Sequence, residues 1–406
     1  VGLEDGLVLA GRAIGARGWT GGEVVFTNAM TGSEEVLSDP FYRGQIVTMA
    51  YPLIGNYGVS EDAWESFRPH VAGFIVGEAA DRPHHWRSER TLAATLAHWQ
   101  IVGIADVDTR LLVRHLRNHG LKRGVISTED VAEAALVARA RSLPDIGTLD
   151  LVGEVSTEAV QHHPGPGPRV AVLDCGIKRG IIDHLKHRGC DVWILPHRTT
   201  AEEILDLKPA GLVLSPGPGD PKILPHQVAQ VQHLWERLPL FGICLGHQLI
   251  GRAAGGETFK LPYGHRGSNH PVKDLESGRV YVTTQNHGYA VDEVSLDPSE
   301  VVVTHRNLND GTVEGLRHRR LPIVSVQYHP EGRPGPHDSG YLFDRWMQMI
   351  GGSLAGAAPA PAGRPAYPRP GIPRRGASPG DTPEGRLARG YPGGASRLGT
   401  PPVRRG

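Results

Sequence analysis

The sequence predicts an α/β protein, with an N-terminal α+β domain followed by a second domain built on a mostly parallel, helix-covered sheet. Three observations carry that expectation. At 406 residues the chain is long enough for two cores rather than one. From Arg169 onward, short apolar runs alternate with amphipathic segments, as in a parallel sheet with helices on both faces. Before that point strand-like runs come first and helical periods follow, as in an α+β unit.

Within residues 1–150, Glu23-Val24-Val25-Phe26, Gln45-Ile46-Val47-Thr48-Met49 and Gly73-Phe74-Ile75-Val76 read as strands. Leu92, Leu96 and Trp99 recur on one helical face, and a helix after Thr109 runs through Leu112 and Leu116 to stop near Gly120. Residues 151–168 are expected to form a linker, because Gln161-His162-His163-Pro164-Gly165-Pro166-Gly167-Pro168 cannot sustain regular structure.

Residues 169–351 form the second expected domain. Val170-Ala171-Val172-Leu173 is a buried-type strand, Ile181 to His187 a helix, and Val192-Trp193-Ile194-Leu195 the next strand. Thr200 and Glu203 make a capping box for another helix. Gly211-Leu212-Val213-Leu214 and Leu238-Pro239-Leu240-Phe241 continue the alternation, with Val228, Val231 and Trp235 on the helix between them. An antiparallel insertion is expected from Val280-Tyr281-Val282-Thr283, Val301-Val302-Val303-Thr304 and a run from Thr312 to Leu316, with a hairpin turn at Asn309-Asp310-Gly311. A closing helix from about Asp338 places Leu342, Trp346 and Ile350 on one face. Residues 352–406 carry nine arginines against Asp381 and Glu384 in a Gly/Pro/Ala background, so a disordered tail is expected.

Formal charge is zero, with 43 basic and 43 acidic side chains, which argues against a nucleic-acid or anionic-membrane partner. Cys175, Cys190 and Cys244 make no paired framework and no apolar run is long enough to span a bilayer. With no signal-peptide pattern either, a cytoplasmic location is expected.

The chemistry centres on Leu240-Phe241-Gly242-Ile243-Cys244-Leu245-Gly246-His247-Gln248, which sets a cysteine between an apolar strand and a glycine-bearing helix start. A strand feeding a sharp turn exposes the side chain at the turn, and the helix N-terminus favours a thiolate. Further along, Ile323-Val324-Ser325-Val326-Gln327-Tyr328-His329-Pro330-Glu331 ends a strand with a histidine and then a carboxylate able to orient it. A Cys244-His329-Glu331 set performs acyl transfer through a tetrahedral oxyanion, for which the Leu245 N–H and the loop Ser215-Pro216-Gly217-Pro218-Gly219-Asp220-Pro221 offer donors. A single buried cysteine is ordinarily packing, and Cys175 and Cys190 are read that way. His265, His270 and His287 lie close in sequence but lack acidic or cysteine partners at zinc spacing, and His84-His85 sits in a polar loop, so no metal is expected. No Gly-x-x-x-x-Gly-Lys-Ser/Thr stretch occurs, so no ATP loop is expected in this chain.

The loop at 215–221, Phe241-Gly242-Ile243-Cys244-Leu245-Gly246-His247-Gln248-Leu249 and His329-Pro330-Glu331 together resemble the class I glutamine amidotransferase domain. Further stretches narrow the resemblance: Met30-Thr31-Gly32, Asp39-Pro40 with Tyr42-Arg43-Gly44-Gln45, Tyr51-Pro52-Leu53-Ile54-Gly55-Asn56-Tyr57-Gly58, and Gln285-Asn286-His287-Gly288-Tyr289-Ala290-Val291. Ile104-Ala105-Asp106-Val107-Asp108-Thr109-Arg110 and Gly335-Pro336-His337-Asp338 agree. Over roughly residues 3–350 the chain looks like the small, glutaminase subunit of carbamoyl phosphate synthases.

That resemblance implies Cys244 as nucleophile, His329 as base and Glu331 as its orienting partner. It implies glutamine contacts at Gly217, Gly219, Leu245, Gln248, Asn286, Gly288 and Tyr289. It also implies a large-subunit partner that binds ATP, Mg and bicarbonate, receives ammonia through a tunnel and makes carbamoyl phosphate for arginine and pyrimidine synthesis; L-glutamine is the substrate and no cofactor sits in this chain. One departure stands out. The family pattern Asp-Pro-Ser-Tyr supplies a serine to the glutamine site, whereas this chain reads Asp39-Pro40-Phe41-Tyr42, so weaker glutamine binding is expected. Gly180, where relatives often carry asparagine, is a lesser departure. Two rivals remain: a glutaminase serving a different synthase, against which the N-terminal stretches argue, and an assembly subunit with a decayed site, against which the intact Cys244, His329 and Glu331 argue.

Overall fold

Short apolar strands in the N-terminal half assemble into one mixed seven-stranded sheet. The structure, a computed structural model, describes residues 1–351, and these belong to one compact unit. The expected tail over 352–406 lies outside the described residues.

The first-half strands are β1 (Gly2–Leu3), β2 (Arg12–Gly15), β3 (Trp19–Thr27), β4 (Gln45–Met49), β5 (Leu53–Ile54), β6 (Gly73–Ile75), β7 (Glu78–Ala79), β8 (Val102–Ala105) and β9 (Lys122–Ser127). The sheet order is β1-β9-β3-β4-β6-β8-β2, with β5 and β7 forming a small ladder of their own. The centre, β3-β4-β6-β8, is parallel and the flanks are antiparallel. Parallel neighbours need crossovers, and helices α1 (Ser33–Ser38) and α2 (Leu92–His98) fall within them. Helices therefore interleave with strands more than the order of the apolar runs predicts, because strands of three to five residues are easily lost between turns. Helices α3 (Thr109–His119) and α4 (Glu133–Ser142) follow. The first of these begins where Asp108 accepts the Leu111 N–H and ends at Gly120, φ 80°.

The second sheet has ten strands: β10 (Gln161–His163), β11 (Arg169–Asp174), β12 (Asp191–Pro196), β13 (Gly211–Leu214), β14 (Leu240–Ile243), β15 (Glu257–Asp274), β16 (Val280–Asp292), β17 (Val301–Asn307), β18 (Val313–His318) and β19 (Ile323–Val326). Their order is β10-β12-β11-β13-β14-β19-β18-β17-β15-β16, parallel from β12 to β19 and antiparallel beyond. Its helices are α5 (Val152–Val155), α6 (Arg179–His187), α7 (Ala201–Asp206), α8 (Pro225–Leu234), α9 (Leu245–Ala253) and α10 (Tyr341–Met349). Alternating strand residues feed two cores. Ala171, Leu173, Leu212, Leu214 and Leu240 meet Ile204, Val231 and Leu249 on one face. Val170, Val172, Val213 and Phe241 meet Leu185 and Trp346 on the other. The capping box at Thr200 and Glu203 is present, as expected.

Two expectations need correction. The segment read as unable to hold regular structure contains β10, paired antiparallel with β12. Its prolines begin only at Pro164, and His162 is held by stacking on Trp193 at 4.1 Å and a 2.6 Å hydrogen bond to Asp191. Earlier in the same segment, α5 buries Val152 and Val155. The longest strand of all, β15, went unread, because Pro262, Gly264, Gly267 and Pro271 interrupt its pattern. It shifts register against β16 between Lys260 and His265 and again between Gly267 and His270. No helix among the described residues is long and apolar enough to cross a membrane.

Candidate active site

Cys244 sits at the hinge from β14 into α9, with φ 55° and ψ −106°. This is a conformation that non-glycine residues rarely adopt, costing about 1–3 kcal/mol, and it is held from both sides. The Cys244 N–H still bonds the Val326 carbonyl of β19 at 2.9 Å, and its own carbonyl accepts from the Gln248 N–H at 3.2 Å. A Cβ on Gly246 would strike the Leu214 carbonyl and one on Gly242 would strike the Gly246 carbonyl, so the flanking glycines let backbone pack against backbone. The Cys244 thiol points at the Asn286 carbonyl, 3.5 Å away.

His329 follows β19, its N–H bonded to Thr284. Its Nδ1 lies 2.8 Å from Glu331 Oε1, and both side chains are fully buried. Burial opposes the imidazolium, but the charge of Glu331 and hydrogen bonding to Cys244 and Glu331 outweigh it and hold the His329 pKa up at about 10. Glu331 is held well below the usual carboxylate range: burial resists ionisation, and Lys178 and His329 more than offset it. Lys178 Nζ is 2.9 Å from Glu331 and 3.9 Å from Glu65, and donates to the Arg333 carbonyl at 2.5 Å. Glu65 itself is pushed up to about 7 by burial, against the pull of Lys178. It also accepts the Gly180 N–H at 3.1 Å. A Cβ at Gly180 would come within 3.0 Å of Glu331 and 3.1 Å of Glu65, so the absence of a side chain there fits this crowded carboxylate pair.

The remaining expected residues converge on the same place. Gly217 packs against the Cys175 carbonyl and the Leu245 side chain so closely that a Cβ would overlap both. Gly219 bends the loop at φ 90° beside Leu149. Gln248 Nε2 donates to the Tyr289 carbonyl at 3.0 Å and to Gln327 at 3.1 Å, while Asn286 Nδ2 donates to Asp39 at 2.9 Å. The Tyr289 phenol is buried toward Asp220, which raises its pKa.

The comparisons agree with this geometry. The family model for class-I glutamine amidotransferases matches residues 171–349, and that for the carbamoyl-phosphate synthase small chain, CPSase domain, matches residues 1–126. A carbamoyl phosphate synthase small chain from Bacillus caldolyticus is 51% identical over 86% of this chain and 95% of its own length. This chain belongs to the carbamoyl phosphate synthase small-chain family. The small chain of Symbiobacterium thermophilum is also 51% identical, over 86% and 97%. A pyrimidine-specific small chain from Halalkalibacterium halodurans is 48% identical, over 86% and 96%.

Within this small-chain fold, the structure adds residues that the sequence did not single out. Asp39 and Glu65 come from the N-terminal half, and Lys178 stands at the start of α6, so the site is assembled from both sheets. No local pattern announces Lys178; its carboxylate partners are distant in sequence. The histidine expectation is also corrected, since folding supplies the acidic partners. His265 Nε2 lies 2.7 Å from Asp310 and its Nδ1 3.6 Å from Glu314, and ligand-capable atoms of His265, His287 and Glu314 fall within 4.8 Å of one another. Each atom already has a partner: Glu314 accepts from Asn307 at 2.8 Å and Gln285 at 2.9 Å, and His287 spans Gln285 and the Tyr289 carbonyl. Burial opposes the His265 charge, yet Asp310 and Glu314 raise its pKa to about 9, whereas burial lowers that of His287. The cluster thus braces the Gln285–Tyr289 backbone through a buried charged network. Phe41 is only 5% exposed and packs in the N-terminal core rather than presenting a polar group.

Proposed function

We propose that this chain hydrolyses L-glutamine to glutamate and ammonia, with Cys244 as nucleophile, His329 as proton carrier and Glu331 as its orienting group. The observation that carries the reading is the buried line from Lys178 through Glu331 to His329, ending at a cysteine held on a strained strand-to-helix turn. The Cys244 thiolate, its proton on His329 Nε2, attacks the substrate Cδ and forms a C–S bond. The carbonyl electron pair moves onto oxygen, toward the Leu245 N–H and the Gly217–Gly219 loop. Loss of one such donor typically costs about 3 kcal/mol in the barrier. Collapse breaks the C–N bond as His329 protonates the leaving nitrogen, releasing ammonia and leaving a thioester. Water, deprotonated by His329, then releases glutamate and restores the thiol. Gly217, Gly219, Leu245, Gln248, Asn286, Gly288 and Tyr289 are assigned to holding glutamine, with backbone and amide groups facing its polar ends.

The ammonia is assigned to a large synthetase chain carrying ATP and Mg, which makes carbamoyl phosphate from bicarbonate in the cytoplasm for arginine and pyrimidine synthesis. Free ammonia at neutral pH is mostly ammonium, so direct transfer raises the effective concentration of the reactive form. The test is glutamate release by the purified chain, alone and with a carbamoyl phosphate synthase large chain plus ATP and bicarbonate, with Cys244→Ser as control. Stimulation by the large chain that the substitution abolishes is the expected result. Activity indifferent to that partner would point to a different synthase, and inactivity in both settings would overturn the glutaminase reading.

A further inference from the structure

Resting on the glutaminase reading, we propose that Arg266 is a substrate-binding residue whose guanidinium pairs with the α-carboxylate of glutamine. Arg266 is 4% exposed, yet among the described residues it has no carboxylate within ion-pair distance. Its Nη1 donates to the Tyr263 carbonyl at 2.7 Å, and its buried Nε has no acceptor. Burying a cation without an anion is expensive, and arginine retains its charge under such conditions. The ionisable groups that act on it are Glu23, Tyr42 and Cys244. Glu23 is already held by Lys260 at 2.7 Å, and Tyr42 is a buried phenol kept neutral by desolvation. The third is the proposed nucleophile.

The position matches the charge. Arg266 is directly opposite Asn286 in the β15–β16 ladder, one residue from the carbonyl-bearing turn that faces Cys244. Its Nη2 lies 3.6 Å from where a Cβ on Gly288 would stand, so the missing side chain leaves the guanidinium edge uncovered there. The flat face rests on the Phe41 ring, with Cζ 5.7 Å from the ring centre. Phe41 stands where a serine hydroxyl was expected to meet the substrate. An aromatic platform fixes the plane of the guanidinium and keeps water from it, leaving the fork edge for a planar carboxylate. The carboxylate recognition lost with the serine is thereby supplied from β15.

The test compares two substrates that differ only in that carboxylate: L-glutamine and 4-aminobutanamide. Arg266→Met in the full chain is expected to lower kcat/KM for glutamine about 100-fold, the scale of a lost charged hydrogen-bond pair, while leaving 4-aminobutanamide hydrolysis unchanged. Arg266→Lys, which keeps the charge and loses the fork, is expected to fall between and covers the case in which the methionine variant does not fold. Equal losses on both substrates would assign Arg266 a structural role and overturn the proposal, as would an unchanged kcat/KM for glutamine in both variants. Absence of glutamine hydrolysis in the unsubstituted chain would overturn the glutaminase reading itself, and this assignment with it.

Discussion

Cys244 and Arg266 lie on the same sheet but are placed by different kinds of sequence information. Cys244 stands between a four-residue parallel strand and a helix, and the glycines that permit the turn are two residues away on either side. Arg266 stands in an 18-residue strand broken by prolines and glycines, and its setting depends on a hairpin partner and on Phe41 from the other sheet. Nucleophile geometry is therefore a local property of the chain, whereas substrate recognition is assembled from distant segments. The first tolerates almost no change, and the second is where members of one family can differ.

Substitutions sharpen this contrast. The largest effect is expected at the turn: Cys244→Ser should reduce glutamine hydrolysis by about 10⁴-fold or more without altering the fold, checked by steady-state glutamate release and circular dichroism. Next is Lys178→Met, which leaves Glu331 and Glu65 buried without their cation. It should lower kcat and cost about 3 kcal/mol of stability in denaturant melts, while a stability unchanged from the parent would show the lysine to be dispensable.

Phe41→Ser tests the assembled side. The added hydroxyl should lower KM for glutamine a few-fold, and removal of the buried ring should cost about 3 kcal/mol of stability. An unchanged KM would remove the serine position from glutamine recognition. The smallest effect concerns His265. Its folded pKa of about 9 lies above the ordinary value of 6.5, so the stability it contributes is fully present below pH 6.5 and lost as pH rises through 9. Between pH 6.5 and 9.5 the protein should lose on the order of 2 kcal/mol that His265→Gln does not lose. Parallel pH profiles for the two proteins would contradict the charged network.

The parallel half of the second sheet was legible because its strands are uninterrupted apolar runs; the boundaries at Gly211–Leu214 agree residue for residue. So were the positions of Cys244, His329 and Glu331, which motif spacing names and which the fold brings to adjoining strand ends. The β15 strand was hidden because Pro262 and Pro271 read as breakers, although register shifts accommodate them in the ladder. Lys178, Asp39 and Glu65 were illegible for another reason. A buried charge reveals its meaning only through its partner, and Lys178 finds Glu331 across more than 150 positions, as does Asp39 with Asn286. The acidic neighbours of His265 were missed in the same way, since Asp310 and Glu314 arrive from the β17–β18 hairpin.

The central claim is that Cys244 carries the substrate's acyl group during turnover. Acid-quenching the protein during steady-state turnover of isotopically labelled glutamine, followed by peptide mass mapping, tests it directly. The account predicts a labelled γ-glutamyl thioester on the Cys244 peptide that disappears in Cys244→Ser. Glutamate accumulating at an undiminished rate in Cys244→Ser, with no label on the Cys244 peptide of the parent protein, would contradict it.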